Sequence, residues 1–570
     1  MSVRVQELLD TFAVPGANAA ELLCDRHPAT DTAFTVIAAD LEFKDISYGE
    51  LRQKSTQFAA ALRDLGVKRG DHIATLMAKS AELVIALLGI WRLGAVNVPL
   101  FTAFAHDAIE FRLQASGASL VITDSDQRNK LLPPGEVPTD ASRPVVVARG
   151  EAFGYDHAFT EMVSGTGAFT GSGSTRETGR ASQEESHDVE SVAVGGDGSL
   201  VQLFTSGTTG SPKGVSIPLN AVASFVGYHR FGLDVRDDDV FWNVADPGWA
   251  YGLYFALLAP MAAGHRSLLL SAGFSPELMW SVLEKFEVSN FAAAPTVYRS
   301  LRAGSTPERS HLLRRASSAG EPLTPDVIAW GRDAFGVEVR DHYGQTELGM
   351  VAGNAWAEGL RQELRPGSMG EALPGWSVNV LGDDSAELAA DGEPGRIAIN
   401  VKKSPFMWFT GYVQAPEKTA ERFSADGTWY LTGDAGRRDG DGYIYFSARD
   451  DDVVIMAGYR IGPFDVESVL ATHQAVSEVA VLGAPDEIRG EVLEAFVVLV
   501  NPAQASDLLA KELQQLVKTG FAAHAYPRRI HFVDQLPKTP SGKVQRFILR
   551  QQRAAMSESV ATQNVAADNG

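Results

Sequence analysis

Ten residues, Thr205 to Gly214, read TSGTTGSPKG and gather hydroxyls, glycines and one lysine into one stretch. Glycine lets backbone N–H groups come close to an anion. Hydroxyls and an ammonium add donors of the kind that phosphate oxygens accept. The string follows an apolar run, Leu200 to Phe204, which reads as a buried strand. A polyphosphate-binding loop is the first reading, and a flexible surface turn the bland one. The common P-loop pattern requires Ser or Thr straight after the lysine, whereas Lys213 is followed by Gly214.

The surrounding elements supply a frame for such a loop. Tyr48 to Leu65 carries apolar residues at helical spacing, Asp71 to Met77 reads as a strand, Ser80 to Leu93 as a helix and Ala95 to Leu100 as a strand. This alternation predicts a parallel sheet with crossover helices, hence an α/β fold. Ser164 to Gly198 is rich in Gly, Ser, Thr and Glu and reads as a mobile insertion. Strand and helix signals resume from Leu200 to about Tyr343. Short strands and helices after about Asp450, including Val479 to Leu482, Ala495 to Val500 and Leu508 to Lys518, predict a smaller second domain over 451–553 after a large domain over 1–450. Residues 554–570 form a polar tail, expected to be disordered.

Composition narrows the partners. The 570 residues carry a formal net charge of −21, a surface that repels nucleic acid and anionic membranes. A site for a polyanion must be basic locally. One cysteine, Cys24, excludes an internal disulfide or a Cys-built zinc site and reads as a buried structural thiol. The longest apolar stretch, Leu83 to Trp91, is too short to span a bilayer, and Met1 to Ala13 has no apolar core typical of a leader. A cytoplasmic protein is expected, and a homodimer is one assembly open to it.

Further strings accompany the loop: ADPGWAYG (Ala245 to Gly252), AGEPL (Ala319 to Leu323), YGQTE (Tyr343 to Glu347), TGD (Thr432 to Asp434), AGYRIGPFDVE (Ala457 to Glu467) and PKTPSGK (Pro537 to Lys543). Together and in this order, from about Asp45 to Arg550, they resemble the adenylate-forming superfamily, most closely its acetyl- and medium-chain acyl-CoA synthetase branch. That resemblance implies a two-step ligase: a carboxylate attacks the α-phosphate of MgATP, giving acyl-adenylate and pyrophosphate, and the thiol of coenzyme A then displaces AMP.

It also implies roles. Thr205, Ser206, Gly207, Thr208, Thr209, Gly210 and Lys213 would hold the β- and γ-phosphates. Glu347 would hold magnesium as a hard oxygen ligand, and Thr346 would donate to the α-phosphate. Gly320, Glu321 and Pro322 would flank the adenine, with Asp341, His342, Tyr343, Gly344 and Gln345 in the same nucleotide site. Asp434 would accept the ribose hydroxyls, supported by Arg449. Lys543 would bridge carboxylate and α-phosphate, neutralising two approaching anions. After adenylation the small domain would rotate about Asp451, with Gly458 lining the pantetheine channel and Arg460 meeting a phosphate. Ala448 and Leu348 depart from the usual pattern without removing a ligand group.

The acid pocket would be walled by Trp249, Ala250, Tyr251, Ala319 and Gly344. Acetyl-CoA synthetases carry a tryptophan where Gly344 stands, so an open space worth several buried CH₂ groups, about 0.8 kcal/mol each, predicts an acid longer than propionate: short-branched, medium-chain or aromatic. An acetyl-CoA synthetase-like enzyme, a stand-alone adenylation enzyme loading a carrier protein, and a nucleotide-binding regulator without chemistry are the rival readings.

Overall fold

The computed structural model describes residues 2–132, 143–154, 156–164, 189–205, 212–304, 313–382, 386–449, 452–456, 459–486, 490–522, 524–538 and 543–555. Among them the strands form four sheets.

The first sheet contains the apolar strand Ser199–Thr205, parallel to Val96–Pro99, which continues through His72–Leu76, Leu120–Thr123, Val145–Val147 and His157–Ala158. Lys213–Pro218 closes its edge antiparallel, with Thr205 opposite Lys213. The second sheet has a parallel centre: Thr32–Ile37, Ser267–Leu270, Phe241–Asn243, Asn290–Ala293, Arg315–Ala319 and Val339–Gln345. Gly349–Gly353 folds back antiparallel on Val339–Gln345. The strands are Val/Ile/Leu/Ala-rich because parallel strands covered on both faces must be apolar throughout. Helices at Tyr48–Asp64 and Ala81–Arg92 begin at Ser47 and Ser80, whose hydroxyls accept from the backbone N–H of Glu50 and Leu83, the usual N-cap arrangement. The expected α/β alternation is present.

In α/β sheets, ligands bind beyond the carboxyl ends of parallel strands. Thr205, Ala319 and Tyr343 all lie at such ends. A third sheet, over residues 378–449, adds Asp434 and Arg449 on the antiparallel neighbours Trp429–Arg438 and Ile444–Arg449, where those two residues are directly opposite.

Residues beyond 452 build a separate core from Val454, Ile461, Val466, Leu470, Val481, Leu493 and Leu513, among others. Helix Pro463–Leu470 packs back on the third sheet through Phe464 against Phe446, ring centroids 5.9 Å apart. No helix among the described residues is long and apolar enough to cross a membrane. Cys24 is fully buried and its thiol is pushed up to about 12, first by burial and then by Asp25, as expected of a structural thiol.

One expectation is corrected. The end of the 164–198 segment is packed: Asn18 Nδ2 donates to Ser191 O at 3.0 Å, Val192 N donates to Arg92 O at 2.8 Å, and Val189 and Val194 lie on the main core. Its valines give it apolar area to bury, which the Gly/Ser/Glu composition of the whole stretch obscured. Residues 165–188 of that segment, and 556–570 of the tail, lie outside the described residues.

Candidate active site

Asp434 organises the centre of the site. It is 3% exposed. Gln345 Nε2 donates to its Oδ2 at 2.8 Å, the Tyr343 hydroxyl donates to the same oxygen, and Arg449 Nη1 donates to Oδ1 at 2.9 Å. Burial and the Asp434 charge push the Tyr343 phenol far up, so it stays a donor. Gln345 also binds Thr432 O at 2.9 Å and accepts from the Tyr430 hydroxyl at 3.2 Å. The YGQTE and TGD strings, about 90 residues apart in sequence, are thus one hydrogen-bonded unit. A carboxylate so placed has further lone-pair capacity for hydroxyl donors.

Strand alternation sorts the neighbours of Tyr343. Successive side chains on a strand point to opposite faces. Asp341 is buried, with Oδ2 accepting from Leu323 N at 3.3 Å and Oδ1 without a hydrogen-bond partner among the described residues. Burial raises its carboxyl to about 8. His342 points away: its Nδ1 lies 2.7 Å from the Tyr228 hydroxyl on helix Ala221–Phe231, and burial takes the ring down to about 3. The expected place of the His342 side chain in the nucleotide site is therefore corrected; the neutral ring ties the strand to the helix behind it. Gly344 is corrected in its reason too. A Cβ there would overlap the carbonyl oxygen of Gly349, so glycine is required by the hairpin, and no acyl-sized space follows from its missing side chain.

Gly320 has φ +96°, with no atom near a would-be Cβ, which fits an exposed left-handed turn able to lie against a flat ligand. Glu321 is held by Thr296 Oγ1 at 2.8 Å and Arg299 Nη2 at 2.9 Å. Pro322 completes that turn. Trp249 packs between Phe101 and Phe104, centroids 5.4 and 5.6 Å away, and its Nε1 has no partner among the described residues. Ala250 and Tyr251 follow it at the start of the helical segment 250–263, and the Tyr251 hydroxyl is 3.5 Å from that of Tyr228. Ala319 is buried. Leu348 is fully buried behind Glu347 in the core, which explains an apolar residue at that position. Ala448 is buried opposite Ala435.

A second cluster gathers Thr205, Lys213, Thr346 and Glu347, the residues expected at the triphosphate. Thr205 Oγ1 is buried without a partner among the described residues. Glu347 is 8% exposed, and its Oε1 accepts from the Tyr412 hydroxyl at 2.7 Å. Lys213 Nζ sits 4.5 Å from the centre of the Tyr412 ring. Desolvation and then the Arg422 charge lower the Lys213 ammonium, while Glu347 raises it. Thr346 O accepts from Tyr254 at 2.9 Å. Tyr412 and Arg422 did not emerge from the sequence. The stretch GYVQAPEKTAERF, with two cations, Lys418 and Arg422, following an aromatic in an acidic chain, was the signal available. No cluster of three or more acidic, His or Cys side chains able to hold a metal occurs among the described residues. A single carboxylate fits magnesium, which takes one or two protein ligands and fills the rest with phosphate oxygens and water.

Lys543 comes from the small domain and faces this centre. Desolvation by the surrounding protein lowers its ammonium; Glu321, Asp434 and Glu347 act to raise it and Arg449 to lower it. The charges it feels thus come from three separate strings of the large domain. Ser206, Gly207, Thr208, Thr209 and Gly210, with Asp451 and Gly458, lie outside the described residues. Arg460 is placed only by its backbone, opposite Ile455.

Residues 22–412 match the AMP-binding enzyme family and 465–543 its C-terminal domain. The chain belongs to that family. It is 34% identical over 544 residues to the acetyl-coenzyme A synthetase of Bacillus subtilis (strain 168), covering 94% of this chain and 90% of that one. Among solved structures, an acyl-CoA synthetase of Brucella canis is 40% identical with a TM-score of 0.72 and 97% of each chain covered. ATP-bound MatB from Rhodopseudomonas palustris is 26% identical with a TM-score of 0.79, covering 94% of this chain and 98% of that one. This AMP-forming acid–CoA ligase activates a carboxylic acid with MgATP as an acyl-adenylate and passes the acyl group to coenzyme A.

Proposed function

We propose that the acid is a monocarboxylate with an apolar tail, and that Lys543 draws its carboxylate onto the α-phosphate. The position of Lys543 among Glu321, Asp434, Glu347 and Arg449 carries this reading. In the first step a bond forms from carboxylate oxygen to α-phosphorus while the bond to the bridging oxygen breaks, releasing pyrophosphate. Asp434 and Arg449 hold the ribose, and the free Asp341 Oδ1 accepts from the adenine amine. Thr205 and Lys213 bind the β- and γ-phosphates, Thr346 the α-phosphate. Magnesium, held by Glu347, neutralises phosphate charge when bound. In the second step the thiolate sulfur of coenzyme A bonds to the acyl carbon and AMP leaves. Positioning and charge compensation supply the catalysis.

The tail is read from its walls. Trp249, Ala250, Tyr251 and Ala319 present mostly apolar surface, which would leave a second carboxylate buried without a partner. Acid size is set by these walls rather than by Gly344.

The test is coenzyme A-dependent pyrophosphate release with acids from acetate to decanoate, benzoate, phenylacetate and succinate. The wild-type chain should turn over an apolar monocarboxylate about 100-fold faster than succinate, the order of effect expected when a charge is buried without a partner. Lys543→Ala should abolish release with every acid, while still making thioester from a preformed acyl-adenylate. Loss of both half-reactions together, or a best rate with succinate, would overturn the reading.

A further inference from the structure

Arg422 lies where the motifs are silent. A short bridge pairs Tyr412 with Val215, and Val413 N donates to Gly214 O at 2.8 Å, so the segment after Gly411 is fastened to the strand that leaves the phosphate loop. The chain then turns through Pro416–Ala420 and returns Arg422 beneath Tyr412 and Tyr430. A Cβ on Gly433 of the TGD string would overlap Arg422 Nη1, so the guanidinium reaches the floor of the nucleotide site. It is half-buried.

Its side chain hydrogen-bonds that of Tyr412 and is left without a carboxylate. Among the buried arginines, Arg92 holds Asp25 at 2.6 Å and Arg128 holds Asp156 at 2.7 Å, while Arg112 donates to Ala108 O and lies over the Phe104 ring. No carboxylate among the described residues lies within ion-pair distance of Arg422. Its backbone-carbonyl contact, Leu431 O, is 3.5 Å away, at the weak limit of a hydrogen bond. Glu347, whose charge reaches it, is taken by Tyr412. Glu421 is taken by Lys418 at 2.7 Å. A fork of donors beside Lys213, with no anion of its own, suits a bidentate phosphate.

We propose that Arg422 is a pyrophosphate-binding residue of the adenylation step, holding the β,γ end of ATP opposite Lys213 and compensating the leaving group's charge as the bond to α-phosphorus breaks. This rests on the placement of the triphosphate at Lys213 and Glu347 given above. Arg422 lies against Gly433 but makes no hydrogen bond or ion pair to Asp434, Tyr343, Gln345 or Arg449 among the described residues, so its effect should fall on ligands that carry the β- and γ-phosphates.

The experiment measures magnesium pyrophosphate and AMP affinities by titration calorimetry on wild type, Arg422→Ala and Arg422→Lys, together with thioester formation from a preformed acyl-adenylate. In Arg422→Ala, pyrophosphate affinity should fall about 10- to 100-fold, the value of one or two charge-assisted hydrogen bonds. AMP affinity and thioester formation should be unchanged, and Arg422→Lys should recover part of the loss. Unchanged pyrophosphate affinity would overturn the proposal, as would a parallel loss of AMP affinity in both variants, which would mark Arg422 as structural. Affinity is read without turnover, so a failure to find the acid leaves this outcome decisive. Weak pyrophosphate binding by the wild type itself would instead contradict the placement of the triphosphate.

Discussion

At the scale of single residues, Asp341 has the largest consequence for pH. Its ordinary carboxyl value of 3.8 is raised to about 8 by burial. The folded chain keeps this proton over a window in which the unfolded chain has released it. Stability linked to Asp341 is therefore full at acid pH and is lost as pH rises from about 4 to about 8. Asp341→Asn removes the titration and keeps an acceptor for Leu323 N. Thermal unfolding followed by circular dichroism should show the variant gaining on wild type as pH rises, by roughly 1–3 kcal/mol at pH 8. A gap that stays constant from pH 5 to pH 8 would mean Asp341 is ionised throughout. Asp434, Glu347 and Lys543 could be singled out in the sequence because each lies inside a string whose neighbours mark it, and Asp341 and Arg449 because the resemblance extends to the residues around those strings. Tyr412 and Arg422 were not legible, since their types are common and only the Val215–Tyr412 bridge brings them to the site.

At the scale of elements, the hairpin Val339–Gln345/Gly349–Gly353 shows where strand logic was enough and where it was not. Period-two alternation sends Asp341 and Tyr343 one way and His342 the other, a rule readable from sequence once the strand is granted. The register break between Tyr343 and Gly344 is a tertiary fact. It presses Gly344 against Gly349, so a residue that looked like a substrate gauge is a packing requirement. Gly344→Ala should cost about 2 kcal/mol or more by overpacking a backbone contact and lower turnover, with the rank order of acids unchanged. A shift of preference toward acetate without loss of stability would restore the pocket interpretation. The 189–198 segment makes the same point: average composition hid two valines that anchor it.

At the scale of the whole molecule, the fold sets a large body carrying Asp434, Glu347 and Lys213 against a smaller one carrying Lys543. The small domain is tied internally by Arg546 to Glu467 at 2.6 Å and Arg550 to Asp452 at 2.5 Å. Against the large domain it offers Phe464 and Asp465. The Asp465 carboxyl is raised to about 6 by burial and hydrogen-bonds Ser447.

The cations beside Tyr412 sit inside a chain of net charge −21, and the two fields differ in range. An incoming MgATP anion meets repulsion from the whole surface far out, and attraction from Lys213 and Arg422 only at contact. Salt shortens the reach of charge from about 30 Å at 0.01 M to about 10 Å at 0.1 M. The distant repulsion is erased first, and the contact attraction weakens only at higher ionic strength. The kcat/KM for MgATP, measured along a sodium chloride series at fixed free magnesium, should therefore climb to a maximum before it falls. The same pocket on a neutral surface would give only the fall.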